Sequence, residues 1–245
     1  MLVAIRLPVP PSFTTMPYDP LYWQVHDPSF LRTADLRHFH PTIVPATMEQ
    51  ENEFFVSRLV RAPYRSLFLD IGAYKGDTCL SVARALRAHK REDIAVIAFE
   101  PNPTYCQAIN KTASTHLMNL VCLPYAISNA PGRLYQKQDE GSGTMYDKGF
   151  KGKAVECRTL DQFGFHNVAL MKLDVEGNEP YVLAGATQTL SRTRELYIEM
   201  WNDVHYRERH PNPLPGSYNQ RILRQIPKAY VPCLKMEKNV WFCRT

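Results

Sequence analysis

From residue 66 onward, apolar runs alternate with segments of helical periodicity. The apolar runs are short and bounded by turn residues, which is typical of buried strands. They cover residues 66–71, 94–99, 120–123, 168–174 and 195–201. Between them, apolar residues recur every three or four positions, which predicts helices at 77–89, 103–115 and 179–190. Strands that alternate with helices predict an α/β fold, with a mostly parallel sheet and helices on both faces.

Two regions depart from this alternation. Residues 133–137 and 154–159 have a strand-like pattern on either side of a glycine-rich segment, which predicts a small antiparallel excursion. After a predicted helix at 217–226, two strand-like runs at 229–235 and 239–244 are separated by a tight turn. This closing pair predicts an antiparallel C-terminal strand at one edge of the sheet.

The N-terminal region has a different composition. Residues 1–45 are rich in proline and aromatic residues, and only a short turn or helix near 29–38 is predicted there. A helix is predicted at 47–61, where Thr47 is a polar cap and apolar residues follow at helical spacing. We therefore expect an N-terminal arm and helix at 1–62 that pack on a main domain at 63–245.

Composition and charge narrow the class of protein. The chain has 245 residues, and its aromatic content of 11% excludes a largely disordered protein. Its hydrophobic fraction is 44% and its net charge is +5. The charge permits an anionic partner but does not require one. The six cysteines include no C-x-x-C pair, so we expect reduced, structural thiols. With no signal-peptide pattern and no membrane-length apolar run, a cytoplasmic location without a membrane span is expected, and the oligomeric state is left open.

A glycine-containing turn follows the first predicted strand. Asp70 precedes the turn, Gly72 and Gly76 lie within it, and Glu100 stands at the carboxyl end of the next strand. An acid at that position binds the hydroxyls of a ribose in nucleotide-binding folds. The turn lacks the middle glycine of the dinucleotide pattern, and Asp70 suits a cationic amino group better than a pyrophosphate. S-adenosylmethionine carries both groups; the alternative is an ordinary strand–helix turn with a surface Glu100.

Four ionisable residues follow one another where the strand predicted at 168–174 ends. Lys172 and Asp174 point the same way by strand alternation, Glu176 precedes the next helix, and Glu179 begins it. In an open parallel sheet this end of the strand is the ligand-binding edge. Burial of Lys172 beside Asp174 is costly unless the two pair or bind a ligand. The alternative is a helix capped by Glu179, with solvated charges.

These motifs resemble those of the FkbM-type S-adenosylmethionine-dependent methyltransferases, over about residues 66–201. The matching segments, in the family's order, are 70–78, 98–103, 126–132, 141–144, 159–161, 172–179, 185–186 and 198–199. Tyr74 and Lys75 depart from the small or polar residues that the family usually has there. The resemblance implies a Rossmann-like methyltransferase sheet and methyl transfer, usually to a hydroxyl of a sugar or secondary metabolite.

The resemblance also implies roles for single residues. Those implied to bind the cofactor S-adenosylmethionine are Asp70, Gly72, Ala73, Gly76, Thr78, Glu100, Asn102, Ala126, Ile127 and Asp174. Within this set, Asp70 and the two glycines of the turn would hold the methionine end, Glu100 the ribose, and Ala126 with Ile127 the adenine. Asp174 and Glu176 would face the methyl group and the acceptor.

Methyl transfer to a hydroxyl depends on positioning and is assisted by a general base. The candidate catalytic residues are Lys172, Asp174, Glu176, Glu199 and His205. No tightly bound metal is expected. We expect an O-methyltransferase with a small-molecule or glycan acceptor, surrounded by the arm before residue 47, the segment 141–152 and the loop 202–218.

Two other functions stay open. A nucleic-acid methyltransferase, acting on RNA ribose or a cap, would use the net charge and the basic segments 84–91 and 148–153. Segment 84–91, however, has the spacing of a solvated helix face. A non-catalytic cofactor-binding module would have lost the glycine turn or Glu100, and both are intact.

Overall fold

The computed structural model describes residues 47–136, 145–146, 152–210, 213, 215–236 and 239–245. The helix predicted near 29–38, the rest of the arm at 1–45 and most of the glycine-rich segment 141–152 lie outside the described residues. The division of the chain at residue 62 stays a prediction.

Two sheets contain the strands of the described residues. The strands are β1 (Leu67–Ile71), β2 (Ala95–Phe99), β3 (Leu120–Leu123), β4 (Ala126–Ile127), β5 (Gly132–Gln136), β6 (Met145–Tyr146), β7 (Lys153–Arg158), β8 (Val168–Leu173), β9 (Thr193–Glu199), β10 (Tyr230–Met236) and β11 (Asn239–Arg244). The larger sheet has the order β10-β11-β9-β8-β1-β2-β3, and the smaller has the order β4-β7-β5-β6.

Most neighbours in the larger sheet are parallel. β1 pairs in parallel with β2 and β8, and the pairs β2–β3 and β8–β9 are also parallel. β11 is antiparallel to both β9 and β10, and β10 forms the edge. The predicted mostly parallel sheet with an antiparallel C-terminal edge strand is therefore confirmed. In the smaller sheet β5 and β7 are antiparallel, as their sequence pattern predicts.

The helices pack in two groups. They are α1 (Met48–Leu59), α2 (Asp77–Ala88), α3 (Pro103–Thr115), α4 (Glu179–Ala184), α5 (Thr187–Ser191), α6 (Asp203–Arg209) and α7 (Tyr218–Gln225). α2 contacts α1 and α3, whereas α4 contacts α5 and α7, and α6 also packs on α7. Because layers cover both faces, every residue of β1 and β8 is buried. None of the helices in the described part of the chain is long and apolar enough to span a bilayer.

Two local structures differ from the sequence prediction. The helix predicted at 179–190 is divided into α4 and α5, because Gly185 lies against the backbone of Ser128, the residue after β4. A Cβ atom at Gly185 would approach the carbonyl oxygen of Ser128 to 2.1 Å. The predicted loop 202–218 contains α6, whose first turn is capped by Asn202 through its side-chain oxygen.

The expectation of six reduced thiols is wrong for one pair. Cys233 and Cys243 form a disulfide, with their Cα atoms 6.0 Å apart. They lie on β10 and β11, and the antiparallel pairing brings them together although their spacing matches no cysteine motif. The four remaining cysteines, Cys79, Cys106, Cys122 and Cys157, are buried, as expected for structural residues.

Candidate functional site

A cavity of about 320 Å³ opens at the carboxyl ends of β1, β2 and β8. The strand order reverses between β1 and β8, because β2 and β3 lie on one side of β1 and β8 and β9 on the other. This is where open α/β sheets bind ligands. Of the predicted site residues, those that line the cavity are Gly72, Ala73, Thr78, Glu100, Ala126, Ile127, Lys172, Asp174 and Glu176.

The turn after β1 is held against the ends of two other strands. The amides of Gly72 and Ala73 both donate to the carbonyl oxygen of Phe99, at 3.0 Å. Gly72 has φ +91°, and a Cβ there would come within 1.8 Å of the carbonyl oxygen of Asp174. Only glycine allows this approach, which brings the turn after β1 directly against the end of β8.

Gly76 and Thr78 shape the start of α2. Gly76 has φ +92°, and a Cβ there would lie 2.7 Å from the side chain of Ile109 on α3. Gly76 is therefore required for the packing of α2 on α3 and is not among the cavity-lining residues. The N-cap residue of α2 is Gly76, which has no side chain to cap the helix, and the first residues of α2, Asp77 and Thr78, line the cavity. The amides of this first turn are suited to bind an anionic ligand group.

Glu100 links the turns that follow β1 and β2. Its two carboxylate oxygens accept hydrogen bonds from the amides of Tyr74 (2.8 Å) and Asn102 (2.7 Å), and the residue is 5% exposed. Burial raises the pKa of Glu100 to about 7, against the lowering effect of the two amides. A carboxylate has about four acceptor positions, so Glu100 can still bind two hydroxyl groups.

Asn102 is positioned as a helix cap. Its side-chain oxygen accepts from the amide of Thr104 at 3.0 Å, at the start of α3. Asn102 is not among the cavity-lining residues, and its contribution to the site is the amide that it donates to Glu100.

Three charged side chains lie next to one another between the core and the cavity. The ammonium group of Lys172 lies between the carboxylates of Asp70, which is buried, and Asp174, which is partly exposed. Lys172 Nζ lies 3.0 Å from Asp174 Oδ2 and 3.7 Å from Asp70 Oδ1. Asp70 is fully buried beneath the cavity, whereas the side chain of Asp174 is 36% exposed and lines it. Burial raises the pKa of Asp70, and the charge of Lys172 opposes that rise. Burial would lower the pKa of Lys172, but the charges of Asp174 and Asp70 outweigh it, so this pKa is raised.

Glu179 holds the segment after β8 in place through a hydrogen bond to its backbone. One oxygen of Glu179 accepts from the amide of Val175 at 2.8 Å, and the other accepts from the hydroxyl of Tyr218 on α7. Glu179 is completely buried, which raises its pKa to about 7. The interpretation of this segment as a capped helix with solvated charges therefore fails for both Glu179 and Lys172.

Glu199 and His205 lie away from the cavity. Glu199 ends β9, is 2% exposed and does not line the cavity. His205 lies on α6 with its ring against Trp201, the centroids 4.6 Å apart, and it does not line the cavity either. Of the predicted catalytic residues, the structure thus brings together Lys172, Asp174 and Glu176.

Several lining residues were not predicted from the sequence. They include Met48 and Glu51 on α1, Tyr125 before β4, Gln136 on β5 and Asn178 before α4. No sequence signal marked Glu51, since it is one of several acids on an amphipathic helix. Within the described ranges, no group of three or more histidine, cysteine or acidic side chains is placed to hold a metal ion.

The fold resembles those of solved methyltransferases. An FkbM methyltransferase from Methylobacillus flagellatus KT matches at 16% identity and a TM-score of 0.50, over 73% of this chain and 43% of that one. A SAM-dependent O-methyltransferase from Thermotoga maritima matches at 11% identity and a TM-score of 0.43, over 86% and 69% of the chains. The SAH-bound methyltransferase PaMTH1 from Podospora anserina matches at 9% identity and a TM-score of 0.45, over 81% and 80%.

At these identities the likeness concerns the fold alone, and the chain spans less than half the length of the Methylobacillus chain. No curated protein matches the chain at a significant level. The family model for the methyltransferase FkbM domain matches residues 70–228, which is more than half of the chain. This segment contains the last two residues of β1, all of β2 and β8, and the residues that follow each of these strands. The chain therefore belongs to the FkbM methyltransferase family.

Proposed function

We propose that this protein is an S-adenosylmethionine-dependent O-methyltransferase that acts on a hydroxyl of a sugar, glycan or other small metabolite. The observation that carries the proposal is the position of Asp174. Its carboxylate is partly exposed to the cavity, 3.0 Å from the buried ammonium group of Lys172, in a chain of the FkbM methyltransferase family.

The residues of the cavity fit S-adenosylmethionine. Glu100 keeps acceptor capacity for the two ribose hydroxyls, and the buried Ala126 and Ile127 offer an apolar surface to the adenine. The uncapped first turn of α2 suits the carboxylate of the methionine end, and the acidic lining suits its ammonium and sulfonium charges. The cofactor supplies a methyl group that its positive sulfur already activates.

The residues of this chain then have separate roles. Asp174 accepts a hydrogen bond from the acceptor hydroxyl and takes its proton as the methyl group is transferred. Lys172 keeps Asp174 ionised and oriented, because an adjacent positive charge favours the carboxylate form. Asp70 balances the charge of Lys172 from the buried side. Glu199 and His205 are less suited to be the base, since neither lines the cavity.

The charge of the cavity disfavours a nucleic-acid acceptor. Among its described lining residues, the acids are Glu51, Asp77, Glu100, Asp174 and Glu176, whereas the only cation is Lys172, which is 6% exposed and already paired. A phosphate backbone requires unpaired cations along its path. This lining favours an uncharged or cationic acceptor.

The basic segment 84–91 also has structural contacts. Arg91 donates to the backbone oxygens of Val60 and Ala62 and pairs with Asp93. Arg87 donates to the backbone oxygens of His116 and Leu117. These guanidinium groups hold helix ends in place, which disfavours a role for them in binding nucleic acid.

Binding and transfer are tested separately. Titration calorimetry with S-adenosylhomocysteine measures cofactor binding to the wild-type protein and to Asp174→Asn. Release of S-adenosylhomocysteine from S-adenosylmethionine is then measured with panels of neutral glycosides, oligosaccharides and capped RNA. The proposal expects binding by both proteins and transfer to a sugar hydroxyl by the wild type alone. Transfer only to RNA, or binding without transfer to any panel member, would overturn it.

A further inference from the structure

One wall of the cavity comes from outside the family-matched segment. The FkbM model matches residues 70–228, but Glu51 on α1 lines the cavity and Asn239 begins β11. Glu51 accepts hydrogen bonds from Asn239 and from Tyr197, a residue of β9 within the matched segment. The parts of this chain that flank the common domain therefore meet at one side of the site.

Three residues form a hydrogen-bonded cluster at this wall. Oε1 of Glu51 accepts from the hydroxyl of Tyr197 at 2.7 Å and from Nδ2 of Asn239 at 3.1 Å. Both donors bind the same oxygen, and no described residue donates a hydrogen bond to Oε2. The cluster holds the carboxylate in a set orientation and leaves one oxygen with its acceptor capacity.

The tyrosine hydroxyl of this cluster keeps its proton. Tyr197 is 1% exposed, and burial, followed by the negative charge of Glu51, raises its pKa above the usual value. Tyr197 therefore remains a hydrogen-bond donor at neutral pH. Its partner in β8 is Lys172, which places the Glu51 cluster beside the Lys172–Asp174 pair.

The charge of the nearby Lys172 is already balanced by carboxylates, so it cannot neutralise an anionic acceptor. Lys172 is buried and paired with Asp174 and Asp70, and the charge of Glu51 raises its pKa further. Glu51 and Asp174 thus present two carboxylates to the cavity around one ammonium group that is already neutralised. An acceptor that binds between them has to donate hydrogen bonds, and a negative group at this place would be repelled.

We propose that Glu51 binds the acceptor and determines its class. It accepts a hydrogen bond from a second hydroxyl, or from an ammonium group, next to the hydroxyl that is methylated. The preferred acceptor is therefore a polyhydroxylated compound without negative charge, such as a neutral or amino sugar, and a uronic acid is discriminated against. This inference rests on the proposed O-methyltransferase activity.

The experiment compares Glu51→Gln with Glu53→Gln. Glu53 lies on the same helix and has the same charge, but it is exposed and does not line the cavity. The probes are methyl glycosides of a neutral sugar, an amino sugar and a uronic acid. Glu51→Gln is expected to raise KM for the neutral and amino glycosides about tenfold or more, because a charged hydrogen bond is lost. Its kcat should stay within about twofold, and its discrimination against the uronic acid should fall.

Binding of S-adenosylhomocysteine distinguishes a failure of the proposed function from a failure of the proposal about Glu51 alone. If the wild type does not bind it, the proposed function is overturned and this inference with it. If it binds and a neutral glycoside is methylated with the same KM by Glu51→Gln and the wild type, this inference alone is overturned. Transfer only to the uronic acid, or to no glycoside, also overturns it. Should Glu51→Gln fail to fold, Tyr197→Phe replaces it, and an unchanged KM there counts against the proposal.

Discussion

The ammonium nitrogen of Lys172 lies 3.0 Å from a carboxylate oxygen of Asp174. Lys172 belongs to the core strand β8, and Asp174 follows Lys172 by two residues. Both side chains therefore emerge on the same side of the sheet. The buried cation stabilises the charged form of Asp174 and restricts its orientation. Under the proposed function, Asp174 is therefore ionised and oriented at the cavity before an acceptor binds.

Asp174→Asn removes the charge but preserves the shape of the side chain. We expect kcat to fall by about 10²–10⁴-fold, which is the usual contribution of a general base. Affinity for S-adenosylhomocysteine, measured by calorimetry, should change far less. His205→Ala is the control, because His205 packs on Trp201 outside the cavity lining, and it should keep near-normal kcat. A large fall for His205→Ala with little change for Asp174→Asn would place the base on α6.

Glu100→Gln is expected to weaken S-adenosylhomocysteine binding by about tenfold to a hundredfold, because hydrogen bonds to a charged acceptor are lost. The pKa of Glu100 is raised to about 7, so the wild type should also lose affinity as the pH falls below that value and the carboxylate is protonated. Calorimetry between pH 5.5 and about 8 checks both effects. The exposed Glu92→Gln serves as the control. Identical pH profiles for Glu100→Gln and the wild type would exclude Glu100 as the titrating ligand.

Glu179 should couple stability to pH. Burial raises its pKa from 4.5 to about 7 in the folded protein, so the folded state binds more protons than the unfolded state between these values. The stabilisation is complete below the unfolded pKa and is lost as the pH rises through about 7. Relative to Glu179→Gln, the free energy of unfolding of the wild type should fall by up to about 3 kcal/mol over this window. Urea unfolding at a series of pH values measures it, and parallel profiles would contradict it.

Gly72→Ala and Gly216→Ala form a matched pair. Both glycines have positive φ, +91° and +87°, but only at Gly72 would a Cβ meet other atoms, 1.8 Å from the carbonyl oxygen of Asp174. Gly216→Ala should cost about 1–2 kcal/mol, the usual cost of a left-handed alanine. Gly72→Ala should cost at least about 3 kcal/mol and also weaken cofactor binding, since the end of β8 must shift. Equal losses in denaturant unfolding would mean that the contact with Asp174 has no energetic consequence.

Much of the fold is a local property of the sequence. The apolar runs at β1, β2, β3 and β8 and the helix signals around Pro103 predict their elements closely, because each depends on burial or capping within a few residues. The glycine turn after Asp70 and Glu100 at the end of β2 could be identified for the same reason: their spacing follows from one strand–turn–helix unit.

Other features depend on which segments the tertiary structure brings together. Cys233 and Cys243 pair because β10 and β11 are antiparallel in a particular register, and Gly185 interrupts a helix because the backbone of Ser128 lies against it. Local periodicity contains no information about either contact.

In the candidate site, too, some features follow from the local sequence and others from tertiary contacts. The sequence by itself determined that Asp70, Glu100, Lys172 and Asp174 lie at the ends of core strands, since strand ends follow from local patterning. Only the tertiary structure decided their exposure: pairing of β1 with β8 buries Asp70 beneath Lys172 and leaves Asp174 at the cavity. It also decided that Glu51 reaches the site, because α1 packs near β8 through contacts between residues far apart in the chain.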